Sequence, residues 1–417
     1  MIKVVLRSPI LSKSGYGEHG RFVYRSLKSR PDVFDVYVVP TNWGKSSWIT
    51  EDTGETREIN QDIQKLATFK GPFDVSIQVT IPNEWEKLAP VNIGVTAGIE
   101  TDKVAPEWLQ KANEMDKIIV VSEHAKKGFT TATYTAKDQQ GNVVGELSTN
   151  TPIEVVGYPV KDIKPVDLTE KLNLSTDFNF LTIAQWGPRK NLENTLRWFI
   201  DEFHDEEVGL VVKTHQKNMS LIDRRQTSLR LSNLLNEFPN RSCKIYYIHG
   251  DMTEEEIHGL YTNSKIKGYI TTTHGEGFGL PLFEAAYSGL PIAAPAWSGH
   301  VDFLYADVTN EKSGKTKKEP MFEKIQYDLE PIQQAVVWKG VLNPDMKWCY
   351  PKEKSFKKAL RSMYTVNKQK QQRAQNLKEV LLTQEDMVAV QAEYLVRSVV
   401  TEEQEDWANQ INMMSDL

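Results

Sequence analysis

Thr271-Thr-Thr-His274-Gly275-Glu276-Gly277-Phe278-Gly279-Leu280-Pro281-Leu282-Phe283-Glu284-Ala285-Ala286-Tyr287-Ser288-Gly289 continues out of an apolar run at residues 268–272. The run reads as a buried strand. Three glycines then free the backbone, and a helix starts with Pro281 in its first turn and stops before Gly289. In that geometry free backbone N–H groups and the positive helix end meet at the strand's carboxyl edge, an anion site suited to a diphosphate. Glu276 on the loop and Glu284 on the helix flank it. Carboxylates accept hydrogen bonds, and the neighbouring hydroxyls of a pyranose or a ribose are paired donors. Glu284 also has a plainer reading, as a complement to the dipole of its own helix.

Before this stretch, β-branched runs at residues 2–6, 36–39, 75–79, 93–95, 118–121 and 153–156 alternate with helical stretches at 17–27, 106–113 and 123–129. Pro106 near a first turn and Ser122 as an N-cap mark two of those helices. Strands joined by helical crossovers make a parallel sheet covered on both faces. From Tyr158 to Thr176 the chain lapses into prolines and charges without apolar period. This predicts a linker at residues 163–177, after an N-terminal domain at 1–162 and before a second domain at 178–385. The second domain repeats the alternation, with strands at 178–184, 208–213, 244–248, 268–272 and 291–294 and helices opening near Asn191, Leu221, Glu254 and Pro281. Residues 311–318 read as a mobile polar loop around Gly314, and roughly the last hundred residues as mostly helical. A final helix is placed at 386–417, where Val388, Ala392, Leu395 and Val399 recur at helical spacing. The fold class is α/β, two doubly wound sheets in tandem with a cleft between them.

A chain of 417 residues is longer than one hydrophobic core organises, which agrees with two domains. Its apolar runs fall well short of the roughly 20 residues that span a bilayer. Met1-Ile-Lys-Val-Val-Leu-Arg7 is too short and too interrupted by charge for a signal peptide, so a cytoplasmic protein is expected. Cys243 and Cys349 are far apart and lack His or Cys neighbours at ligand spacing, and they read as reduced structural thiols without a zinc site. A net charge of −6 gives no general attraction to nucleic acid or anionic membrane. The Lys and Arg runs at residues 312–318 and 352–370 read as solvated faces.

Glu276 and Glu284, with seven residues between them, together with Glu276-Gly-Phe-Gly-Leu-Pro281 and Glu284-Ala-Ala-Tyr-Ser-Gly289-Leu-Pro291, resemble the signature of the GT-B retaining glycosyltransferases of family four, also called glycosyltransferases group 1. The resemblance covers residues 178–305 and extends more faintly over 1–160. It implies two Rossmann-like domains, a C-terminal helix crossing back onto the first, and a hexosyl- or pentosyl-transferase. The implied donor is a nucleoside-diphosphate sugar, with UDP or GDP as its nucleotide, and no metal or resident cofactor is required. By the same resemblance Glu276 approaches the donor sugar, Glu284 holds the ribose hydroxyls, and the backbone of Gly277, Phe278, Gly279 and Leu280 cradles sugar and phosphate. Ala184-Gln185-Trp186-Gly187-Pro188-Arg189-Lys190-Asn191 is similar to the family's phosphate-binding turn. Lys190 matches its lysine, Gln185 stands where the family carries an arginine, and Arg189 is an adjacent cation. Such a cation suits the chemistry, because the departing nucleoside diphosphate gathers negative charge and no metal-binding Asp-x-Asp cluster is evident. Glu276 and Lys190 are therefore the catalytic candidates, with Lys213 as a further cation.

In the first domain, Ser12-Lys-Ser-Gly15-Tyr-Gly17-Glu-His19-Gly20 looks like the family's glycine loop, with Gly15 and Gly17 on the donor side. Its spacing is not that of a dinucleotide fingerprint, which argues against a nicotinamide cofactor. His19, alone at a helix start, reads as a surface residue. The strand end from Gly94 to Asp102 lies where many relatives carry a His, and here Glu100 and Asp102 are the acceptor-binding candidates. The acceptor itself stays open: a glycan, a small molecule or a protein fits, and a modified nucleic-acid base is conceivable though not favoured. A monomer or weak homo-oligomer is expected. The rival readings are a phosphorylase or epimerase on the same fold, or a non-catalytic nucleotide-sugar-binding protein.

Overall fold

The computed structural model describes residues 1–137, 140–309 and 313–399, which divide into two units. The first unit takes in Met1–Gly98, Val104–Pro159 and the chain from Glu385. It begins with β1 (Ile2–Ser8), α1 (Gly15–Lys28), β2 (Phe34–Pro40), α2 (Gly54–Leu66), β3 (Val75–Val79) and β4 (Val91–Thr96). Then follow α3 (Pro106–Ala112), β5 (Lys117–Val120), α4 (Glu123–Thr130), the hairpin strands β6 (Tyr134–Lys137) and β7 (Val143–Leu147), and β8 (Ile153–Val155). Six of these strands form a parallel sheet in the order β2-β1-β3-β4-β5-β8. All five residues of β3 are buried, as a strand covered on both faces requires. Helix starts are capped locally: Ser14 Oγ accepts from the Gly17 N–H at 3.1 Å and Ser122 Oγ from the Ala125 N–H at 3.1 Å. Helix α2 was not legible because it buries only Thr56, Ile59 and Asp62, too few for an apolar period; a Thr53–Thr56 capping box starts it.

The second unit comprises Ile99–Lys103 and Val160–Gln384. Its elements are α5 (Thr169–Leu172), β9 (Asn179–Gln185), α6 (Leu192–Glu202), β10 (Gly209–His215), α7 (Leu221–Asn236), β11 (Lys244–Ile248), α8 (Glu254–Thr262), β12 (Ile266–Ile270), α9 (Leu280–Tyr287) and β13 (Ile292–Pro295). Five short strands follow: β14 (Tyr305–Thr309), β15 (Thr316–Pro320), β16 (Glu323–Ile325), β17 (Tyr327–Pro331) and β18 (Lys347–Pro351). The unit ends in α10 (Glu353–Thr365) and α11 (Asn367–Leu382). The six-stranded parallel sheet runs β11-β10-β9-β12-β13-β16. On one face Phe180, Leu210 and Val212 pack with Leu196 and Phe199 of α6, with Phe203 just past its end, and with Phe356, Leu360 and Met363 of α10.

Of the polar stretch expected as a loop, residues 313–315 do lie outside strands, but 316–318 belong to β15, which pairs antiparallel with β14 from Tyr305↔Pro320 to Thr309↔Thr316; Glu311 and Lys312 lie outside the described residues. Likewise, the last hundred residues are not mostly helical until Glu353, since β15 to β18 come first. Strands of three to five residues with exposed polar side chains carry no period that a sequence reading can use. The chain then returns to the first unit as α12 (Met387–Val399), which packs on α1. There Ser26 Oγ donates to Gln391 Oε1 at 3.0 Å, both side chains buried. Residues 400–417 of the predicted final helix lie outside the described residues. Among the described residues no helix is long and apolar enough to cross a membrane.

Candidate active site

In the second sheet the strand order reverses between β9 and β12, which are neighbours with β10 on one side and β13 on the other. Loops leaving the carboxyl ends of two such strands diverge and open a crevice, the usual ligand site of a doubly wound sheet. The loop after β9 carries Arg189 and Lys190, and the loop after β12 carries Glu276. Backbone and side-chain bonds tie the two loops together. The His274 N–H donates to Arg189 C=O at 2.8 Å, Arg189 Nη1 to Gly275 C=O at 2.7 Å, and Asn191 Nδ2 to Thr272 C=O at 3.1 Å. Residues 271–279 are all buried, so the loop is packed in place along its whole length.

Four charged side chains meet there. Lys190 Nζ lies 2.7 Å from each oxygen of Glu276, Arg189 Nη1 lies 3.1 Å from Glu276 Oε2, and Arg189 Nε lies 3.3 Å from Glu100 Oε1. Burial raises the Glu276 pKa, but Lys190 and Arg189 outweigh it and hold the carboxyl at about 2. Glu276 therefore remains a carboxylate in the folded chain. Its side chain is only 8% accessible, whereas Lys190 keeps 19% and Arg189 30%, so an incoming anion can reach both cations. Removing one member of such a buried cluster would strand its partners without compensation.

Gly279 has φ +96°, in the left-handed region, and caps the start of α9 with Pro281 in the first turn. Phe278 packs against Phe283 and Phe303 at ring distances of 5.1 and 5.0 Å, so its side chain anchors the loop whose backbone was expected to face the ligand. Glu284, on α9, takes a 2.9 Å hydrogen bond from the Tyr261 hydroxyl of α8. Burial and the Glu284 charge together push the Tyr261 pKa well up, so it stays a donor. Gln185 ends β9 with its amide donating to Gln216 C=O at 2.7 Å, and Lys213, nearly buried at the end of β10, donates to Gly250 C=O at 3.4 Å.

Glu100 and Asp102, expected to meet the acceptor, group with the second unit although they lie within residues 1–162. Glu100 pairs with Arg189, and Asp102 is engaged with backbone, its Oδ1 accepting from the Lys347 N–H at 2.7 Å. In the first unit Gly15 is exposed, while Gly17 is packed so closely that a Cβ would sit 2.0 Å from Ser12 C=O. His19 is not at the surface: it is completely buried beside Phe22 and Tyr158, and neither ring nitrogen has a hydrogen-bond partner. Burial lowers its pKa to about 3, with Glu18 opposing, so the ring is neutral.

The sequence reading missed Ser298-Gly299-His300, which follows β13. Ser298 Oγ accepts from the Glu276 N–H at 2.9 Å, and the Gly299 N–H donates to Glu276 C=O at 2.9 Å. A Cβ on Gly299 would lie 1.8 Å from Gly277 C=O, so only glycine fits. A small-residue pair just past a strand of the same sheet was the available signal. Among the described residues, no group of three or more His, Cys, Asp or Glu could hold a metal ion.

No family model matches the chain, and no curated protein matches it in sequence. Solved structures do match. HepE of Anabaena, in complex with UDP and glucose, superposes with a TM-score of 0.61 at 11% identity, covering 95% of this chain and 100% of that one. Sucrose-phosphate synthase from Thermosynechococcus elongatus gives 0.61 at 12% identity over 96% and 99% of the two chains. A trehalose-6-phosphate synthase, studied for enzymatic glycosyl transfer with retention, gives 0.56 at 10% over 95% and 98%. Likeness at such identities concerns the backbone, and together with the two parallel sheets and the returning helix it shows that the chain has a GT-B fold.

Proposed function

We propose that the chain is a retaining glycosyltransferase that moves a sugar from a UDP- or GDP-linked donor to an acceptor hydroxyl without needing a metal ion. The observation that carries this reading is the convergence of Lys190 and Arg189 on Glu276 at the strand-order reversal of the second sheet. Support comes also from relatives in fold that are described with UDP and glucose or as sugar-phosphate synthases. In this reading the donor diphosphate takes over Lys190 and Arg189, with the backbone of Gly277, Phe278, Gly279 and Leu280 donating to it. Glu276, released from its cations, turns its oxygens to the sugar hydroxyls, and Glu284 holds the ribose. Gln185 lines the phosphate side without charge, leaving Arg189, steadied by Glu100, as the second cation.

The reaction breaks the bond between the anomeric carbon and the β-phosphate oxygen and forms one from the acceptor oxygen on the same face. The departing phosphate takes the acceptor's proton. Fixed cations stabilise the charge that grows on that phosphate, which is where a preorganised site lowers the barrier most.

Thermal unfolding of the full chain with UDP-, GDP- and ADP-sugars, followed by product analysis with a panel of sugar and glycan acceptors, tests the proposal. A ligand that binds only the native state raises the melting temperature. The expected result is a rise with a UDP- or GDP-sugar and a glycoside that keeps the donor's anomeric configuration. Sugar phosphate or an epimer as product would assign a phosphorylase or epimerase, and no rise with any donor would remove the reading altogether.

A further inference from the structure

Ser298 holds a backbone conformation that a side chain disfavours, with φ +81° and ψ −170°. That region is populated essentially by glycine. The other non-glycine residues with positive φ among those described are Asn173, Asn191 and Asn240, and asparagine is the residue that tolerates such angles best. A serine therefore stands where glycine would relieve strain, and its neighbour Gly299 shows that glycine is at hand in this very turn.

What the serine offers is its hydroxyl. Its Oγ accepts from the Glu276 N–H at 2.9 Å and lies 3.3 Å from His300 Nδ1. His300 is completely buried, and its Nε2 sits 2.7 Å from Pro295 C=O, an atom that can only accept. The Nε2 atom therefore carries the ring proton and Nδ1 is the acceptor, so the Ser298 hydroxyl donates to Nδ1 and presents a lone pair to Glu276. Burial lowers the His300 pKa, which keeps the ring in this neutral form. On the other side of the same residue the Gly299 N–H bonds Glu276 C=O at 2.9 Å. Both peptide groups of Glu276 are thus held by one turn, while its carboxylate is held from the opposite loop by Lys190 and Arg189.

We propose that Ser298, oriented by His300, is a positioning residue that fixes the backbone of Glu276 so that its carboxylate meets the donor sugar in register. The proposal rests on the glycosyltransferase reading of Glu276. When a donor displaces the cations from Glu276, the Ser298 turn is what remains to hold it.

The test compares Ser298→Gly and Ser298→Ala with the parent in melting temperature and in kcat and donor KM. Glycine removes both strain and hydroxyl, whereas alanine removes the hydroxyl and keeps the strain. Ser298→Gly is expected to melt about 2–4 °C higher, as relief of backbone strain in a unit of this size gives. Its kcat is expected to fall about 10- to 100-fold, the scale of a misaligned group in the site, with donor KM within about threefold because the diphosphate contacts are intact. Ser298→Ala should lose the same factor in kcat without the gain in melting temperature. Parental kcat in Ser298→Gly overturns the proposal, and so does a fall of melting temperature and kcat together in that variant, which marks the hydroxyl as merely structural. A parent that binds and turns over no nucleotide sugar overturns the glycosyltransferase reading first and this proposal with it, and that failure is read on the parent alone.

Discussion

Each unit has its own strand-order reversal, between β1 and β3 in the first sheet and between β9 and β12 in the second, and the chain furnishes them in opposite ways. The loop after β1 brings together hydroxyls: Ser12 Oγ lies 2.9 Å from Ser14 Oγ and 2.6 Å from Ser46 Oγ, and Tyr16 Oη lies 2.7 Å from Thr96 Oγ1. Behind them sits the neutral ring of His19. The loops after β9 and β12 bring together two cations and a carboxylate, with Glu100 as a second. Parallel topology supplies a crevice in both units and leaves its chemistry open. On the proposed function, side-chain charge then decides which crevice would stabilise a leaving diphosphate. The two cations lie in the second.

The largest effect expected from this asymmetry is in turnover. Lys190→Met removes the cation nearest to Glu276 and should lower kcat/KM about 1000-fold, roughly 4 kcal/mol of transition-state stabilisation. Ser12→Ala, which breaks the hydroxyl cluster of the first unit, should cost less than about tenfold. Initial rates with the donor found by thermal unfolding measure both. Equal losses would show that the first crevice stabilises charge as well, and the contrast would fail.

Acid stability gives the next largest difference, and its sign can be worked out from the two buried groups. The unfolded chain protonates His19 near its ordinary pKa of about 6.5, while the folded chain does so only near 3. Stability from keeping that ring neutral is thus present above about pH 6.5 and is lost on acidification, by about 2 kcal/mol at pH 5. Glu276 ionises at about 2 when folded and near 4.3 when unfolded, so its contribution holds above about pH 4.3 and is lost only as pH falls toward 2. His215, His258, His274 and His300 in the second unit are also lowered by burial, so the contribution of each switch point is isolated by substitution. Urea midpoints at pH 7 and pH 5 should show His19→Leu losing about 2 kcal/mol less than the parent over that interval. Glu276→Gln should leave the same interval unchanged. A His19→Leu variant with the parental pH slope would mean that the ring has no special place in the first crevice.

How far these features could be read from sequence follows from how local their causes are. Strands such as β3 and β4 were legible because a parallel sheet buries both faces, and β-branched runs result. Glu276, Lys190 and Arg189 were legible by residue type and loop context. Their mutual pairing was not, because it depends on loops some 86 residues apart meeting at one sheet edge. Glu100 was placed with the first domain by its position in the chain, yet Ile99–Lys103 groups with the second unit through the backbone pairing of Asp102 with Lys347. His19 did carry a signal: His19, Phe22, Val23 and Ser26 fall at helical spacing and are all buried, so the inner face of α1 included it. Ser298 carried only the weak signal of a small-residue pair just past a strand, since residue type does not reveal a backbone angle imposed by the turn around Glu276.

The smallest expected effect asks whether the first crevice touches the donor at all. Gly15 is exposed, has ordinary helical angles, and a Cβ there would meet nothing within 4 Å, whereas at Gly17 it would strike Ser12 C=O at 2.0 Å. Gly17→Ala therefore tests only packing and should lower the melting temperature. Gly15→Ala leaves the fold intact, with stability changed by no more than about 0.5 kcal/mol, so any change in function reports a ligand near the backbone. A donor KM raised about tenfold at unchanged melting temperature would place a donor group beside the Gly15 backbone, since one methyl group at a close backbone approach costs at least that order of affinity. An unchanged KM would leave the diphosphate to Lys190, Arg189 and the start of α9, and would free the hydroxyl-lined loop of the first unit for a different substrate group.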